Sequence, residues 1–271
     1  MTLKFVYEMQ LDFSKPVTDH HYSVKCFPQD TLRQKIIESS LVIEPDGTEG
    51  FATDSFGNKS VYGLIPGEHS SFKMTLKGKA ETGLDISEHE DFDRLDFFRA
   101  QSAYTVPGNS ILQFYSELAN AEFAPKMPYE RALYFMHALH ERFNYVPKST
   151  NIQTTAEEAF QKKCGVCQDY SHILLSILRL DRIPARYVVG IMTGEGESHA
   201  WIEGNFKGHW YGLDPTNNML VDKSYIKISH GRDYQNCIVS RGIFKNTNGF
   251  TEQIQKVHVS VEQIYESFSC Q

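Results

Sequence analysis

The sequence predicts an α+β fold in which a β-rich N-terminal half precedes a half that begins with helices. In the first half apolar and polar residues mostly alternate, which is typical of half-buried strands, and Asp46-Gly47 and Gly57-Asn58 mark turns between the strands. After Tyr104 apolar residues recur at helical spacing. The change of pattern predicts a β-sandwich-like domain over residues 1–105 and a second domain over residues 106–271.

The elements of the second half follow from their apolar patterns and caps. Two helices are predicted from SILQFYSELANAEF and YERALYFMHALHERFNY. In TTAEEAFQKK, Thr154 or Thr155 with an acid three residues later forms a capping-box signature, which predicts a short helix that ends just before Cys164. The apolar helix QDYSHILLSILRL comes next, then three short strands, RYVVGIM, HAWIEG and HWYGLD, and further strand-like alternation near the end of the chain.

Composition narrows the class of protein. A hydrophobic content of 41 % with 13 % aromatic residues is that of a globular protein with a real core. The formal net charge of −7 and the scattered Lys and Arg residues give no cationic surface, so neither nucleic acid nor an anionic membrane is an expected partner. No apolar stretch reaches the roughly 18 residues of a membrane span, and the first residues lack a signal-peptide core. The expected location is therefore the cytoplasm, where most of the cysteines should be reduced thiols.

The stretch KCGVCQDYSHILLSILRL raises the question of what Cys164 and Cys167 do. A structural zinc site would need a second cysteine pair or two histidines at knuckle spacing, which are not found beside this one. A thioredoxin-like dithiol would follow a strand, whereas here a capped helix precedes the pair. The interpretation that the residues favour uses Cys167 alone. Gly165 would allow a tight turn, and the free amides and dipole of the next helix would favour a thiolate that needs a histidine as base.

His199 is the candidate base. The segment HAWIEGNFKGHWYGLDP predicts a hairpin, and a four-residue loop over Asn205–Gly208 would set His199 directly opposite Asp214 on one face of the sheet. A register slipped by two residues would instead pair Asp214 with Trp201. The residues also leave open a structural His199–Asp214 pair beside a buried and inert Cys167.

These segments resemble signature blocks of the transglutaminase-like superfamily, which includes bacterial cysteine proteases. The blocks are GVCQDYSH, IPARYVVG, HAW and LDPTN in this order, and VIEPDG, DSFGN and GRDY resemble other parts of the bacterial members, so the resemblance covers most of the chain. It implies a papain-like core in which the cysteine helix packs on an antiparallel sheet, with Cys167 as nucleophile, His199 as general base and Asp214 as its orienting partner. The chain departs from the usual pattern at Cys164 and at Asp181-Arg182, outside the triad.

The expected activity is acyl transfer on a peptide or protein substrate, with a thioester on Cys167 formed from a peptide or glutamine amide. Hydrolysis by a protease or deamidase is favoured over amine transfer because water is always available. A peptide-glycan amidase, whose sugar cleft Trp201, Trp210 and Tyr211 could line, and a non-catalytic peptide-binding module stay open as alternatives. No cofactor or metal is expected. The residues indicate no second oxyanion donor besides the Cys167 amide and no oligomeric state.

Overall fold

The computed structural model describes residues 1–89, 95–246 and 249–265. This part of the chain is rich in strands, has few helices and contains a curled sheet. Its strands are β1 (Thr2–Val24), β2 (Gln34–Glu44), β3 (Thr48–Thr53), β4 (Lys59–Ile65), β5 (His69–Thr82), β6 (Glu88–His89), β7 (Asn144–Tyr145), β8 (Cys164–Gly165), β9 (Ala185–Met192), β10 (Gly194–Gly196), β11 (His199–Phe206), β12 (His209–Asp214), β13 (Met219–Leu220), β14 (Tyr225–Gly231), β15 (Ser240–Lys245) and β16 (Gln253–Gln263).

The helices confirm the apolar periodicity of the second half. Those in the described residues are α1 (Leu95–Arg99), α2 (Asn109–Ala119), α3 (Pro128–Arg142), α4 (Ala156–Lys162) and α5 (Cys167–Leu180), and a single 3₁₀ turn spans Tyr234–Asn236. Among these residues, no helix has the length and apolar character that a bilayer crossing requires.

The larger sheet curls because its longest strand changes partners along its length. The first part of β1 pairs with β5 and β16, and its last part pairs with β4 and β15. Between Asp12 and Val17 the register with β5 breaks, which lets the strand bend. Every second residue of the first part is buried, in a core that includes Phe5. The predicted strands of this half and the turns at Asp46-Gly47 and Gly57-Asn58 are confirmed.

The last two strands of the described chain also belong to the larger sheet. β15 and β16 pair with β1, and β10 pairs with β16. Val259 and Val261 of β16 are buried in the core of this sheet. The C-terminal part of the segment 106–271 therefore completes the sheet of the N-terminal half, because its alternating apolar face is buried there. The division of the chain into domains at residue 105 stays a prediction.

The smaller sheet carries helix α5 on one face. Its strands are antiparallel in the order β13-β12-β11-β9-β14, and β6 pairs with β12. Ala200 and Ile202 of β11 and Tyr187 of β9 share one hydrophobic core with Ile173 and Ile177 of α5. The packing of the cysteine helix on an antiparallel sheet, which the sequence blocks imply, is therefore present and brings the start of α5 near the start of β11.

Candidate active site

Cys167 is the first residue of α5 and follows a turn at the end of α4. Thr155 caps α4: its hydroxyl accepts from the Glu158 amide at 3.3 Å, and the Glu158 carboxylate accepts from the Thr155 amide at 2.8 Å, which confirms the predicted capping box. Lys163, the residue after the helix, turns the chain with a φ of 56°. Gly165, the residue predicted to make this turn, lies instead in strand β8, where it pairs with β7.

His199 and Asp214 form a hydrogen-bonded pair. His199 opens β11 and Asp214 closes β12, and the distance from His199 Nε2 to Asp214 Oδ2 is 2.7 Å. The Asp214 side chain is fully buried, and that of His199 is 12 % exposed. The Cys167 thiol is the other group that acts on the imidazole and raises its pKa, and Nδ1 is the ring nitrogen that Asp214 leaves free to face it. The structure therefore brings together the three residues predicted from the sequence.

The hairpin that carries this pair has a different register from the predicted one. Phe206 faces His209, so the loop consists of two residues, Lys207 and Gly208, with φ values of 56° and 87°. Two positive φ angles fit a tight hairpin turn that matches the strand twist. The predicted four-residue loop is therefore wrong, and the alternative register, which aligns Asp214 with Trp201, is the one observed.

The pair still meets because a slip of two residues keeps each side chain on its face of the sheet. His199 and Asp214 become diagonal neighbours, and residues so placed lie about 7–8 Å apart, within reach of an imidazole and a carboxylate. Trp201 stays on the same face, and its ring stacks on His199 with centroids 6.3 Å apart and planes at 30°. The stacked indole limits the orientations open to the imidazole.

Asp214 accepts five hydrogen bonds. Oδ1 accepts from the amides of Thr216 and Asn217 at 2.9 and 3.2 Å. Oδ2 accepts from His199, from Asn217 Nδ2 at 2.8 Å and from the Tyr225 hydroxyl at 2.8 Å. Burial alone would raise the pKa of Asp214, but the hydrogen bonds and the His199 charge outweigh it and lower the pKa. Asp214 is therefore held as a carboxylate.

The protonation of His199 follows from the same contacts. Burial would lower its pKa, but the hydrogen bonds and charges of Asp214 and Cys167 outweigh burial and raise the pKa to about 10. The imidazolium form is therefore favoured at neutral pH. An imidazole with this pKa can take a proton from the thiol, hold it as the imidazolium and later deliver it to a leaving group.

Two side chains around Asp214 are not among the residues singled out from the sequence. Asn217 lies in the LDPTN block, so its position in that block was an available signal. Tyr225 lies on β14, at the far edge of the strand order, and no local pattern marks its hydroxyl as a partner of Asp214. Its contact depends on the packing of the whole sheet and is not readable from spacing.

The larger sheet holds the segment that leads into His199. Strand β10 pairs with β16, and the Ser198 side chain, one residue before His199, lies close enough to the buried Tyr7 of β1 to act on the pKa of its hydroxyl. The N-terminal half therefore helps to fix the start of β11.

The other candidate residues lie outside this arrangement. His172 is fully buried in α5, where its Nε2 accepts from the Tyr234 amide at 3.2 Å, and burial lowers its pKa to about 3. Cys164 is a half-buried free thiol. Among the described residues, Cys26, Cys167 and Cys237 are free thiols as well. The described part of the chain contains no group of three His, Cys, Asp or Glu side chains placed to hold a metal ion.

Comparisons with known proteins agree with the sequence blocks. The profile of the transglutaminase-like superfamily core matches residues 118–215, and that of the bacterial transglutaminase-like N-terminal region matches residues 3–81. The chain therefore belongs to the transglutaminase-like superfamily. This membership supports a cysteine-dependent enzyme and leaves open whether it is a hydrolase or a transferase.

The similar proteins extend over most of the chain. An uncharacterized protein of Mycobacterium leprae is 25 % identical over 89 % of this chain and 92 % of its own, and one of Mycobacterium tuberculosis is 28 % identical over 85 % of this chain and 83 % of its own. A crystal structure described as a "Putative Cysteine Protease" from Cytophaga hutchinsonii has a TM-score of 0.79 and 21 % identity, and covers 99 % of this chain and 92 % of that one. At this identity the structure shows that the fold is shared.

Proposed function

We propose that the protein is a cysteine-dependent acyl-transfer enzyme that hydrolyses amide bonds of a peptide or protein, as a protease or a deamidase. The observation that carries the proposal is the contact of the His199 imidazole with two groups at once, the buried Asp214 carboxylate and the Cys167 thiol. A thiol in contact with a carboxylate-bound imidazole, at the start of a helix, is the arrangement that generates a thiolate. The thiol proton then resides on His199, and Asp214 stabilises the imidazolium.

The proposed reaction has two halves. The Cys167 thiolate attacks the amide carbonyl, so that a carbon–sulfur bond forms and the carbonyl oxygen takes the negative charge. The carbon–nitrogen bond then breaks while His199 donates its proton to the leaving nitrogen, which leaves a thioester on Cys167. In the second half the neutral His199 takes a proton from water, the hydroxide adds to the thioester, and the acid leaves as the thiolate and imidazolium form again.

The start of α5 supplies donors for the oxyanion. The amides of Asp169 and Tyr170 donate to the Val166 carbonyl at 2.9 and 3.2 Å. Those of Cys167 and Gln168 have no acceptor among the described residues. Because first-turn amides point out of the N-terminal end of a helix, we assign these two as the oxyanion donors. The Gln168 amide would then be the second donor that the sequence does not indicate.

The surroundings of the site bear on the alternative activities. Trp201 and Trp210 are each 1 % exposed, and the ring of Tyr211 packs against that of Tyr129. These aromatic side chains are therefore used in packing and give no support to a sugar cleft or a peptide-glycan amidase. Amine transfer would use the same acyl-enzyme. We favour hydrolysis because Cys167 is only half-buried, which gives water access to a thioester there.

A peptide-library digest followed by mass spectrometry tests the proposal. Wild type, Cys167→Ala and Cys164→Ala are incubated with the library and a primary amine, and cleavage, deamidation and amine incorporation are scored together. We expect cleavage or deamidation by wild type and by Cys164→Ala, and neither by Cys167→Ala. Amine incorporation in place of hydrolysis would assign a transferase. Normal thiol reactivity without turnover of any peptide would favour the peptide-binding module.

A further inference from the structure

We infer that Asp169 is a positioning residue for the nucleophile: its carboxylate fixes the backbone before Cys167 so that the Cys167 and Gln168 amides face the reacting carbonyl oxygen. The inference deepens the proposed function and rests on it. An acid three residues after the N-cap can accept from the N-cap amide, as Glu158 does at the start of α4. The burial of Asp169 and its second hydrogen-bond partner, Thr150, indicate a more specific role.

Asp169 joins two segments at the start of α5. Its Oδ2 accepts a hydrogen bond from the Val166 amide at 2.7 Å and another from Thr150 Oγ1 at 2.6 Å. Thr150 lies on the loop that follows β7, so the carboxylate ties this loop to the residue before the nucleophile. Asp169 is 1 % exposed, which separates it from a solvated first-turn acid.

Gly165 shows how closely the backbone approaches this carboxylate. A Cβ atom added at Gly165 would lie 2.5 Å from Asp169 Oδ2 and 2.6 Å from Asp169 Cβ. Any side chain there would push the carboxylate away from the Val166 amide. The glycine of the GVC block is therefore required by the space that Asp169 occupies, and its φ does not lie in the left-handed region.

With the carboxylate in place, each backbone amide at the start of α5 has one defined hydrogen-bond acceptor, either in the protein or in the substrate. Val166 donates to Asp169, and Asp169 and Tyr170 donate to the Val166 carbonyl. The amides of Cys167 and Gln168 are thereby left for the substrate oxygen. Without the carboxylate, the partly buried Val166 amide loses its acceptor or rotates to find another, and the next two amides change direction with it. Only an acceptor oxygen is needed, so an amide side chain should substitute for the carboxylate.

Two reactions of the same thiol separate this role from a general effect on Cys167. Acylation by 4-nitrophenyl acetate passes through an oxyanion, whereas alkylation by iodoacetamide does not. For Asp169→Ala we expect the acylation rate constant to fall roughly 30-fold, less than the 10²–10³ of losing a donor outright. The alkylation rate should stay within about threefold of wild type, and Asp169→Asn should recover most of the acylation rate, because its amide oxygen can still accept from Val166.

Asp181→Ala is the matched control, because Asp181 caps the other end of α5 and its carboxylate binds Arg131. It should keep both rates near those of wild type. The inference is overturned if Asp169→Ala leaves acylation unchanged, if acylation and alkylation fall together, or if Asp169→Asn is as slow as Asp169→Ala. A wild-type protein that is alkylated at Cys167 but never acylated would instead overturn the proposed function, and the inference with it.

Discussion

Two groups of buried charges lie on the same face of the smaller sheet. One is the His199–Asp214 pair. The other is a group of four side chains, called here the ionic quartet, which comes from β6, β9, β11 and β14 and consists of Glu88, Arg186, Glu203 and Lys227. Both groups are nearly excluded from solvent, with no side chain in either more than 12 % exposed.

In the ionic quartet each charge has two opposite charges in contact. Arg186 lies 2.7 Å from Glu88 and 2.6 Å from Glu203, and Lys227 lies 2.8 and 2.9 Å from the same two carboxylates. Burial would raise the pKa of Glu88, but the charges of Lys227 and Arg186 outweigh it and lower the pKa to about 2. The quartet therefore pairs two cationic side chains with two carboxylates.

The His199 imidazole differs from the charges of the ionic quartet in the nature of its second partner. The imidazole has a carboxylate on one nitrogen and the Cys167 thiol, a group that can exchange a proton, as its other partner. Burial of charge by itself thus does not mark a functional site in this molecule. The distinguishing feature is a buried charge that has a nucleophile at the start of a helix as its second partner, and five substitutions test that difference.

The largest expected effect is that of His199→Ala on catalysis. Without the imidazole, Cys167 loses its base and the leaving group loses its acid. We expect acyl-enzyme formation to fall at least ~10³-fold, equivalent to about 4 kcal/mol. Stopped-flow acylation measures the rate, and urea unfolding should show that the variant is still folded, because Asp214 keeps four other hydrogen bonds. A comparable rate in the variant would remove His199 from the mechanism.

Glu203→Gln should have the opposite signature. It leaves Arg186 and Lys227 sharing Glu88 as their remaining carboxylate in the quartet, and breaking a buried ion pair typically costs about 3 kcal/mol or more. The free energy of unfolding should therefore fall by about 3 kcal/mol in urea titrations, while acylation per folded molecule stays within about threefold. A loss of activity without a loss of stability would show that the quartet is part of the site.

Asp214→Asn tests the carboxylate within the pair. Asparagine can still orient the ring but does not stabilise the imidazolium by charge, so we expect acylation to fall roughly 10²-fold, or about 2.7 kcal/mol. Asn217→Asp is the informative companion, since it adds a second carboxylate next to Asp214 and should raise the pKa of that group. Unchanged kinetics for Asp214→Asn would make the carboxylate a purely structural partner.

Tyr225→Phe should have the smallest effect. It removes one of the hydrogen bonds to Asp214 Oδ2, at a cost of about 1 kcal/mol, or roughly fivefold in acylation rate. The folded-state pKa of Asp214 lies below its usual value, so the stabilising contribution of its charge is lost as the pH falls through that lowered pKa. Loss of the hydroxyl raises this pKa, so the acid limb of the pH–rate profile should move to higher pH. An unmoved acid limb would contradict this account of the hydroxyl.

Much of the site could be predicted because its signals are local. The capping box at Thr155 and the helical periodicity after it place Cys167 at the start of α5. The period of two along a strand puts His199 and Asp214 on one face in either register, so their meeting does not depend on the predicted loop. The predicted four-residue hairpin loop is wrong because Lys207 adopts a positive φ, which is uncommon for a lysine and is not indicated by the sequence.

The rest depends on contacts between distant parts of the chain. Tyr225 reaches Asp214 across the sheet, and the quartet joins β6 to three strands that follow it by about a hundred residues or more. The pairing of β16 with β1 closes the larger sheet over nearly the whole length of the chain. No local pattern encodes which distant strand an alternating segment will join, so these features required the structure.

Comparing the two cysteines of the Cys-Gly-Val-Cys segment in one molecule tests whether His199 and Asp214 activate Cys167. Both Cys164 and Cys167 are free and half-buried, so substoichiometric iodoacetamide at neutral pH followed by peptide mapping gives an internally controlled ratio. We expect labelling of Cys167 to exceed that of Cys164 more than about tenfold, and this ratio to collapse in His199→Ala. Equal labelling of the two thiols, or a ratio that His199→Ala leaves unchanged, would contradict the claim that His199 and Asp214 activate Cys167.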